Sequence, residues 1–139
     1  MYQNMCYHSE KKLSPSKEDY LKAIYKLSEK SQEVRSIDLA VYLEVSKPSV
    51  NKAVTILQEE GLVVKPLGGL IHLTEEGRKQ SQGIIAKFEL IKQFLINCCN
   101  VNELTASEDA CKMEHIISDE TIFALNKYFI RCKEKSIEQ

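Results

Sequence analysis

The chain has 139 residues, a formal net charge of −1 at pH 7, 43% hydrophobic residues and 28% charged residues, which are ordinary values for a globular protein. No apolar run approaches the roughly 20 residues that span a bilayer, and the N-terminus lacks the apolar stretch of a secretory signal, so we expect a cytoplasmic protein without a membrane segment. The nearly neutral charge excludes nucleic-acid binding through bulk charge alone, so any DNA contact must be local.

Three helices are predicted in the first half of the chain. Apolar residues at helical spacing indicate a first helix over 16–29 and a second over 37–43, with Ser36 as the cap of the second. A third helix opens at Ser46 or Lys47, tolerates Pro48 in its first turn and ends before Gly61. Two β-type runs, 62–65 and 70–73, then flank a glycine-containing turn and predict a hairpin.

Three more helices are predicted after the hairpin. Thr74 caps a long one over 75–98, Thr105 opens a capping-box pattern for one ending at 116 or 117, and Ser118 caps the last, to about 132. The charged tail after Arg131 is expected to be disordered. The fold class is therefore mainly α with a small β-hairpin, comprising a flexible extension over 1–13, a winged helix-turn-helix over 14–74, a helical domain over 75–133 and a tail over 134–139.

The segment 36–73 has the parts of a winged helix-turn-helix, which presents the start of its second helix to base edges in the DNA major groove. Val50 and Val54 are expected to face inward. The outward residues are short, polar and rich in donors, and we predict that they contact double-stranded DNA: Ser46, Lys47, Pro48, Ser49, Asn51 and Lys52. Ser36 and Lys65 belong to the same set, and Lys65 and the Gly68-Gly69 tip are expected to reach the phosphate backbone. With so few cations, a homodimer is needed to double the contacts.

A candidate metal trio lies near residue 110. Cys111, Glu114 and His115 are spaced i, i+3 and i+4, so on a helix they share one face and can converge on one ion. Spacing alone is weak evidence, because cysteines are often simply buried and histidines are common at helix ends. The five cysteines, at 6, 98, 99, 111 and 132, lack the density of a disulfide scaffold, which favours reduced thiols.

Three stretches resemble the diphtheria-toxin-repressor family of metal-dependent bacterial regulators, which includes manganese regulators of the MntR type. They are EDYLKAIYKL at 18–27, VSKPSVNK at 45–52 and EDACKMEHIISDE at 108–120. The resemblance spans about 14–129 and is most specific in the last stretch. It implies a helical dimerisation and metal-binding domain after the winged helix, and a homodimer that binds a palindromic operator when activated by metal and represses metal uptake. Because the chain ends before the SH3-like domain of some members, the shorter two-domain architecture is expected.

The resemblance also assigns ligands. It makes Asp19 a ligand from the DNA-binding domain, coupling metal occupancy to the spacing of the recognition helices; a capping box with Ser16 is the alternative role. Positions that carry ligands or acids in subfamilies hold other residues in this chain, namely Lys22, Phe88, Lys92 and Ser107. These departures remove ligands of an ancillary site. Cys6 and His8 could replace a missing histidine, although the extension is expected to be unstructured.

A site of Asp19, Cys111, Glu114 and His115 mixes oxygen, thiolate and imidazole donors. By ligand softness this set suits Fe²⁺, Co²⁺, Ni²⁺ or Zn²⁺ better than Mn²⁺, whereas the family implies Fe²⁺ or Mn²⁺. The sequence thus predicts a metal-responsive transcriptional repressor of metal homeostasis. The alternatives are a relative that binds DNA constitutively or in response to another signal, and a winged-helix module for protein interaction. No enzyme activity or small organic substrate is expected, because the chain lacks a phosphate loop and a nucleophile with its base.

Overall fold

The computed structural model describes residues 15–31, 33–67 and 69–137. Its helices and strands follow in this order: α1 (Lys17–Lys30), α2 (Ser36–Leu43), α3 (Lys47–Glu59), β1 (Val63–Val64), β2 (His72–Leu73), α4 (Glu75–Cys99), α5 (Glu103–Met113) and α6 (Asp119–Ile137). This confirms the mainly α fold with a hairpin between two sets of three helices. The predicted extension over 1–13, with Cys6 and His8, lies outside the described residues.

The described chain forms two compact units, 15–84 and 85–137. Helix α4 contributes its first turns to the first unit and the remainder to the second. Within the described ranges, no helix combines the length and the apolar composition that crossing a bilayer requires.

Side-chain caps fix the helix starts of the first unit. Ser46 accepts a hydrogen bond from the backbone N–H of Ser49 at 3.3 Å, as predicted for the start of α3. The predicted cap of α2 was wrong by one residue, since Arg35 occupies the N-cap position and Ser36 is the first helical residue. The physical reason is Asp38, whose carboxylate accepts the Arg35 N–H at 2.8 Å and so sets the cap three residues before itself.

The hairpin pairs Val63 with Leu73 and Val64 with His72 in antiparallel register. It is shorter than the predicted runs, and just before β2 the chain also forms a bridge between Leu70 and Arg35. The adjoining backbone hydrogen bond runs from the Ile71 N–H to the Val34 carbonyl at 2.7 Å. The start of α2 and the hairpin therefore share one small β-structure, which fixes the wing to the helix-turn-helix.

The core of the first unit lies under α1, α3 and the hairpin. Its fully buried apolar side chains have 2% or less of their surface exposed: Leu21, Ala23, Ile24, Val34, Leu39, Val50, Val54, Leu57, Leu62, Val63 and Ile71. These residues recur with the period of a helix or a strand, so each helix and strand has one apolar face. The apolar faces pack against one another to form the core.

Helix α4 begins against the end of α3. Thr74 caps it, as predicted, because its Oγ1 accepts the Gly77 N–H at 3.0 Å while donating to the Gly61 carbonyl at 2.7 Å. Gly77 sits directly on the Leu62 carbonyl, and a Cβ at this position would overlap that oxygen. Only glycine allows this approach without a backbone shift.

Three predictions for the second unit were wrong. Helix α5 ends at Met113 rather than at 116 or 117. Helix α5 is capped by Asn102, whose Oδ1 accepts the N–H groups of Leu104 at 2.9 Å and Thr105 at 3.2 Å, so Thr105 lies inside the helix. Asn102 satisfies the first unpaired donors before Thr105 can. At the other end, α6 starts at its predicted cap, Ser118, but continues to Ile137, so the segment after Arg131 is helical rather than disordered as far as the structure describes it.

The two glycines of α4 give a matched test of this packing. We expect Gly77→Ala to lower the free energy of unfolding by about 1–3 kcal/mol, the usual effect of overpacking. Gly83→Ala should instead raise it by up to about 1 kcal/mol through helix propensity, because no neighbouring atom lies within 4 Å of the point that the new Cβ would occupy. Urea denaturation followed by circular dichroism measures both, and equal effects of the two substitutions would contradict the close approach at Leu62.

Candidate nucleic-acid interface and metal centre

Helix α3 separates a buried face from an exposed polar face. Val50, Val54 and Leu57 have at most 2% of their surface exposed. The residues predicted to meet DNA from this helix are all accessible: Ser46, Lys47, Pro48, Ser49, Asn51 and Lys52. The structure thus places the predicted set on one accessible surface at the start of α3, the geometry that a recognition helix requires.

The turn between α2 and α3 fixes the direction in which α3 leaves the core. Glu44 adopts a left-handed conformation with φ 54°, which ends α2. The following Val45 N–H donates to the Ala40 carbonyl at 3.0 Å. At the start of α3 the hydroxyls of Ser46 and Ser49 lie 2.8 Å apart and bond one another.

Ser36 and Lys65, two further residues predicted to contact DNA, form a side-chain hydrogen bond with each other. Lys65 Nζ donates to Ser36 Oγ at 3.0 Å, and only 6% of Ser36 is exposed. The hydroxyl of Ser36 is therefore occupied from within the protein. Gly68 of the predicted wing tip lies outside the described residues, while Gly69 has φ 82° and donates to the Pro66 carbonyl at 3.1 Å. This is a turn that favours glycine.

The sequence did not single out Arg35, an exposed cation at the start of α2. Its backbone bridges to Leu70 of the wing, and its guanidinium lies 4.0 Å from the Glu33 carboxylate. The one sequence feature that could have indicated Arg35 is its position next to Ser36, a predicted DNA contact. Because Arg35 lies in the polar segment between the first two predicted helices, the sequence analysis passed over it.

The three residues of the predicted metal trio lie together at the end of α5. Cys111 is in the last turn of α5, and Glu114 is its C-cap, with φ −58° and ψ −27°. His115 follows in a turn, and its backbone N–H donates to the Lys112 carbonyl at 3.3 Å. Because the backbone stays helical through Glu114, residues spaced i, i+3 and i+4 still lie on one face beyond the last residue of α5. The ligand atoms of the trio lie within 4.8 Å of one another.

The environment of the trio fits a transition metal. Cys111 and Glu114 have 5% and 2% of their surface exposed, whereas His115 lies at the surface, with its Nε2 3.6 Å from Glu114 Oε1. A divalent cation would interact strongly with a buried carboxylate, because the low dielectric of the interior strengthens the attraction between opposite charges. The expectation of reduced thiols was wrong for Cys111, which is disulfide-bonded in this structure. In its reduced form the trio offers one sulfur, one oxygen and one imidazole nitrogen, a set that suits Fe²⁺, Co²⁺, Ni²⁺ and Zn²⁺.

Asp19 is described within the first unit, where its capping role is confirmed. Its Oδ2 accepts the Ser16 N–H at 2.8 Å and the Ser16 hydroxyl at 3.0 Å, and its own N–H donates to Ser16 Oγ at 3.2 Å. A carboxylate has two oxygens, so capping through one of them and coordination are compatible roles. The ligand role of Asp19 stays a prediction.

Lys92 and Ser107 stand where related regulators carry ligands of an ancillary metal site. They place a positive charge and a hydroxyl inside the second unit. Lys92 has 7% of its surface exposed, and its Nζ lies 3.8 Å from Glu103 Oε1. Ser107 is fully buried, and its Oγ has no hydrogen-bond partner among the described residues. A buried ammonium repels a nearby cation, so Lys92 disfavours a second ion beside it.

Two family models together match nearly the whole chain. The N-terminal DNA-binding domain of the iron dependent repressor matches residues 12–70, and the metal binding and dimerisation domain of the iron dependent repressor matches 74–136.

Among curated relatives, the regulator MntR of Geobacillus thermodenitrificans is 39% identical over 106 residues, covering 76% of this chain and 74% of its own length. An HTH-type regulator of Methanocaldococcus jannaschii, MJ0568, is 36% identical over 125 residues, covering 88% of this chain and 99% of its own. The solved manganese regulator SloR has a TM-score of 0.75 at 35% identity, covering 84% of this chain and 54% of its own. The chain therefore spans about half the length of SloR.

These matches agree with two features of the structure, the exposed polar surface at the start of α3 and a donor set that combines buried sulfur and oxygen with an exposed imidazole nitrogen. The named relatives are regulators of transcription rather than enzymes. The chain belongs to the iron-dependent repressor family of metal-dependent transcriptional regulators, whose members combine a DNA-binding domain with a domain that binds metal and dimerises.

Proposed function

We propose that this protein is a cytoplasmic repressor that binds a palindromic operator as a homodimer when a divalent transition metal occupies a site formed by Asp19, Cys111, Glu114 and His115. The observation that carries the proposal is the convergence of Cys111, Glu114 and His115 at the end of α5, with Cys111 and Glu114 buried. The convergence supports a first-row transition metal as the signal.

The ion is proposed from the donor set. A thiolate and an imidazole beside a carboxylate favour Fe²⁺ over Mn²⁺, because affinity for nitrogen and sulfur ligands rises along the first row from manganese. The structural relative SloR is a manganese regulator, but in this chain Lys92 places a positive charge in the same unit as the trio. One ion per subunit, with Fe²⁺ as the physiological signal, is the stoichiometry and identity that we propose.

The proposed switch acts through α1. Asp19 is tied to the first turn of α1 by its capping box, and α1 packs against both α2 and α3. An ion that recruits this carboxylate would restrain α1 and, through it, the recognition helix. A ligand shifts an equilibrium only through its different affinities for the two states, and the carboxylate of Asp19 supplies that difference here.

DNA reading is proposed to rest on a few contacts per subunit. Asn51 suits an adenine edge and Lys52 suits guanine or phosphate, while Ser46 and Ser49 stand at the helix start where phosphates bind. The bond between Lys65 and Ser36 favours a different role for that pair, which is to hold the wing against α2. Lys65 then reaches phosphate only by exchanging its internal partner.

A second candidate is a family member that binds DNA without metal control. The departures at Lys92 and Ser107 favour it, because the subfamily ligands of the ancillary site are absent from those positions. The two candidates share the DNA surface and differ in whether a chelator changes DNA affinity.

We predict that Glu114→Gln lowers Co²⁺ affinity by more than the roughly ten- to hundredfold that loss of an outer-shell partner costs. Asp109→Asn is the matched control, since it removes an exposed carboxylate from the same helix and should leave the affinity unchanged. The measurement is a Co²⁺ titration of the reduced full chain, read by the thiolate-to-cobalt charge-transfer absorption. Cys111→Ser should abolish that absorption. Equal affinities for Glu114→Gln and Asp109→Asn would refute the assigned ligand.

Contacts to phosphates and contacts to bases can be distinguished, because the first make DNA affinity depend on salt and the second make it depend on the DNA sequence. Lys52→Ala should weaken binding to an operator and to an unrelated duplex alike, and should reduce the slope of log K against log salt by about 0.9 per lost phosphate contact. Asn51→Ala should weaken operator binding by about 1–3 kcal/mol per contacted base pair and leave binding to the unrelated duplex nearly unchanged. Fluorescence anisotropy on a duplex selected from a random library measures both effects.

Lys135→Ala, an exposed lysine near the end of α6, is the charge-matched control for the DNA experiment. It should change neither the affinity nor the salt slope. If Asn51→Ala and Lys52→Ala bind DNA as the parent protein does, α3 is not the recognition helix.

A further inference from the structure

The four cysteines that the structure describes are in two different states. Cys98, Cys99 and Cys132 are free thiols at half-buried or exposed positions. Cys111 is disulfide-bonded, and only 5% of its surface is exposed. The sequence contains one further cysteine, Cys6, which lies outside the described residues. Among the described cysteines, the oxidised one is therefore the one that belongs to the metal trio.

A disulfide at Cys111 removes the sulfur donor from the trio. A cysteine binds a metal as its thiolate, which brings a negative charge and a lone pair to the ion. A disulfide sulfur carries no charge, because its second bond takes the place of the lost proton. The trio then keeps two donors, the Glu114 carboxylate and the His115 imidazole, whose Oε1 and Nε2 atoms lie 3.6 Å apart. Fewer ligands and less negative charge weaken the attraction for a divalent cation.

A metal ion and an oxidant thus compete for the same sulfur. An ion bound to the Cys111 thiolate stabilises the reduced protein by mass action, because it binds that form better than the oxidised one. The disulfide stabilises the metal-free protein in the same way. Metal occupancy and disulfide formation therefore oppose each other.

We propose that Cys111 is a redox-controlled metal ligand. It holds the ion as a thiolate in the reduced protein and is withdrawn from the ion by a reversible disulfide with Cys6, the cysteine that the count leaves as its partner within one chain. This rests on the proposed function, since it takes the trio as the metal site. Oxidation would then act on operator binding as loss of the metal does.

The bond can be formed with a diazene oxidant such as diamide. One thiolate adds to the N=N bond, and the nitrogen that receives the electron pair takes up a proton. The second thiolate attacks the sulfur of this adduct, the S–N bond breaks, and the leaving nitrogen takes up a second proton to give a hydrazine. Two electrons pass from the two cysteines to the oxidant, and a dithiol reductant opens the disulfide by exchange.

The first measurement maps the bond in the full, metal-free chain, either reduced and freed of reductant or treated with one equivalent of diamide. Cleavage after glutamate separates the peptides of Cys6, Cys111 and Cys132 from one another and from the peptide that holds Cys98 and Cys99. We expect a cross-link between peptides 1–10 and 109–114 in the treated monomer. Dithiothreitol should reverse it, and Zn²⁺ bound before the treatment should prevent it.

The second measurement titrates both forms with Co²⁺ after the oxidant or reductant has been removed. The reduced form should show the thiolate-to-cobalt absorption. The oxidised form should lack it and bind Co²⁺ at least about tenfold more weakly, because losing a ligand costs more than losing an outer-shell partner.

Two serine variants separate the roles of the thiols. Cys6→Ser removes the proposed partner, so Cys111 should stay reduced and Co²⁺ affinity should be the same before and after diamide. Cys132→Ser is the matched control, since it removes a half-buried free thiol outside the trio and should respond to diamide as the parent does.

The proposal would be overturned if Cys111 mapped as a free thiol after treatment, bonded to any cysteine other than Cys6, or joined two chains. Equal Co²⁺ affinities of the reduced and cross-linked forms would overturn it as well. A reduced parent without the thiolate-to-cobalt absorption is a different result, because it would refute the proposed metal site rather than the disulfide.

Discussion

The buried carboxylate of Glu114 is the constraint on which the metal chemistry of this chain depends. A carboxylate with 2% of its surface exposed favours interaction with a cation, and the thiol of Cys111 and the imidazole of His115 lie beside it as further ligands. The helical backbone continues through Glu114 after α5 has ended, and this local geometry keeps the three side chains on one face. A donor set that combines buried oxygen and sulfur with nitrogen is suited to a transition metal, which is the signal to which this family responds.

The DNA surface follows from a second local constraint. With a formal net charge of −1, the chain cannot attract DNA through bulk charge, so the few donors at the start of α3 must be placed accurately. The cap at Ser46, the buried side chain of Val50 and the left-handed turn at Glu44 together fix the direction of α3. The bond between Lys65 and Ser36 fixes the wing in the same way, by using a cation to hold structure rather than to bind phosphate.

The sequence predicted what depends on local period and on spacing along the chain. The helices, the hairpin and the i, i+3, i+4 trio all follow from patterns within a few residues of one another. The errors lie where neighbouring residues could serve equally well: Asn102 capped α5 before Thr105 could, and Asp38 moved the cap of α2 to Arg35. A charged tail also continued α6 to Ile137, although composition alone indicated disorder.

Contacts between residues far apart in sequence escaped prediction for a different reason. No pattern near Ser36 in the sequence predicts its hydrogen bond with Lys65, which lies 29 residues away. Lysine side chains are ordinarily exposed, so the burial of Lys92 could be seen only in the folded structure.

The central claim is that metal bound by the Glu114 trio controls DNA binding. It is tested most directly by the affinity of the reduced protein for a selected operator duplex, measured by fluorescence anisotropy under anaerobic conditions with Fe²⁺ and again with excess chelator. The account predicts that Fe²⁺ tightens binding by about 5- to 150-fold, the usual range of allosteric coupling, and that Glu114→Gln removes the difference. Equal affinity with Fe²⁺ and with chelator in the parent protein would contradict it.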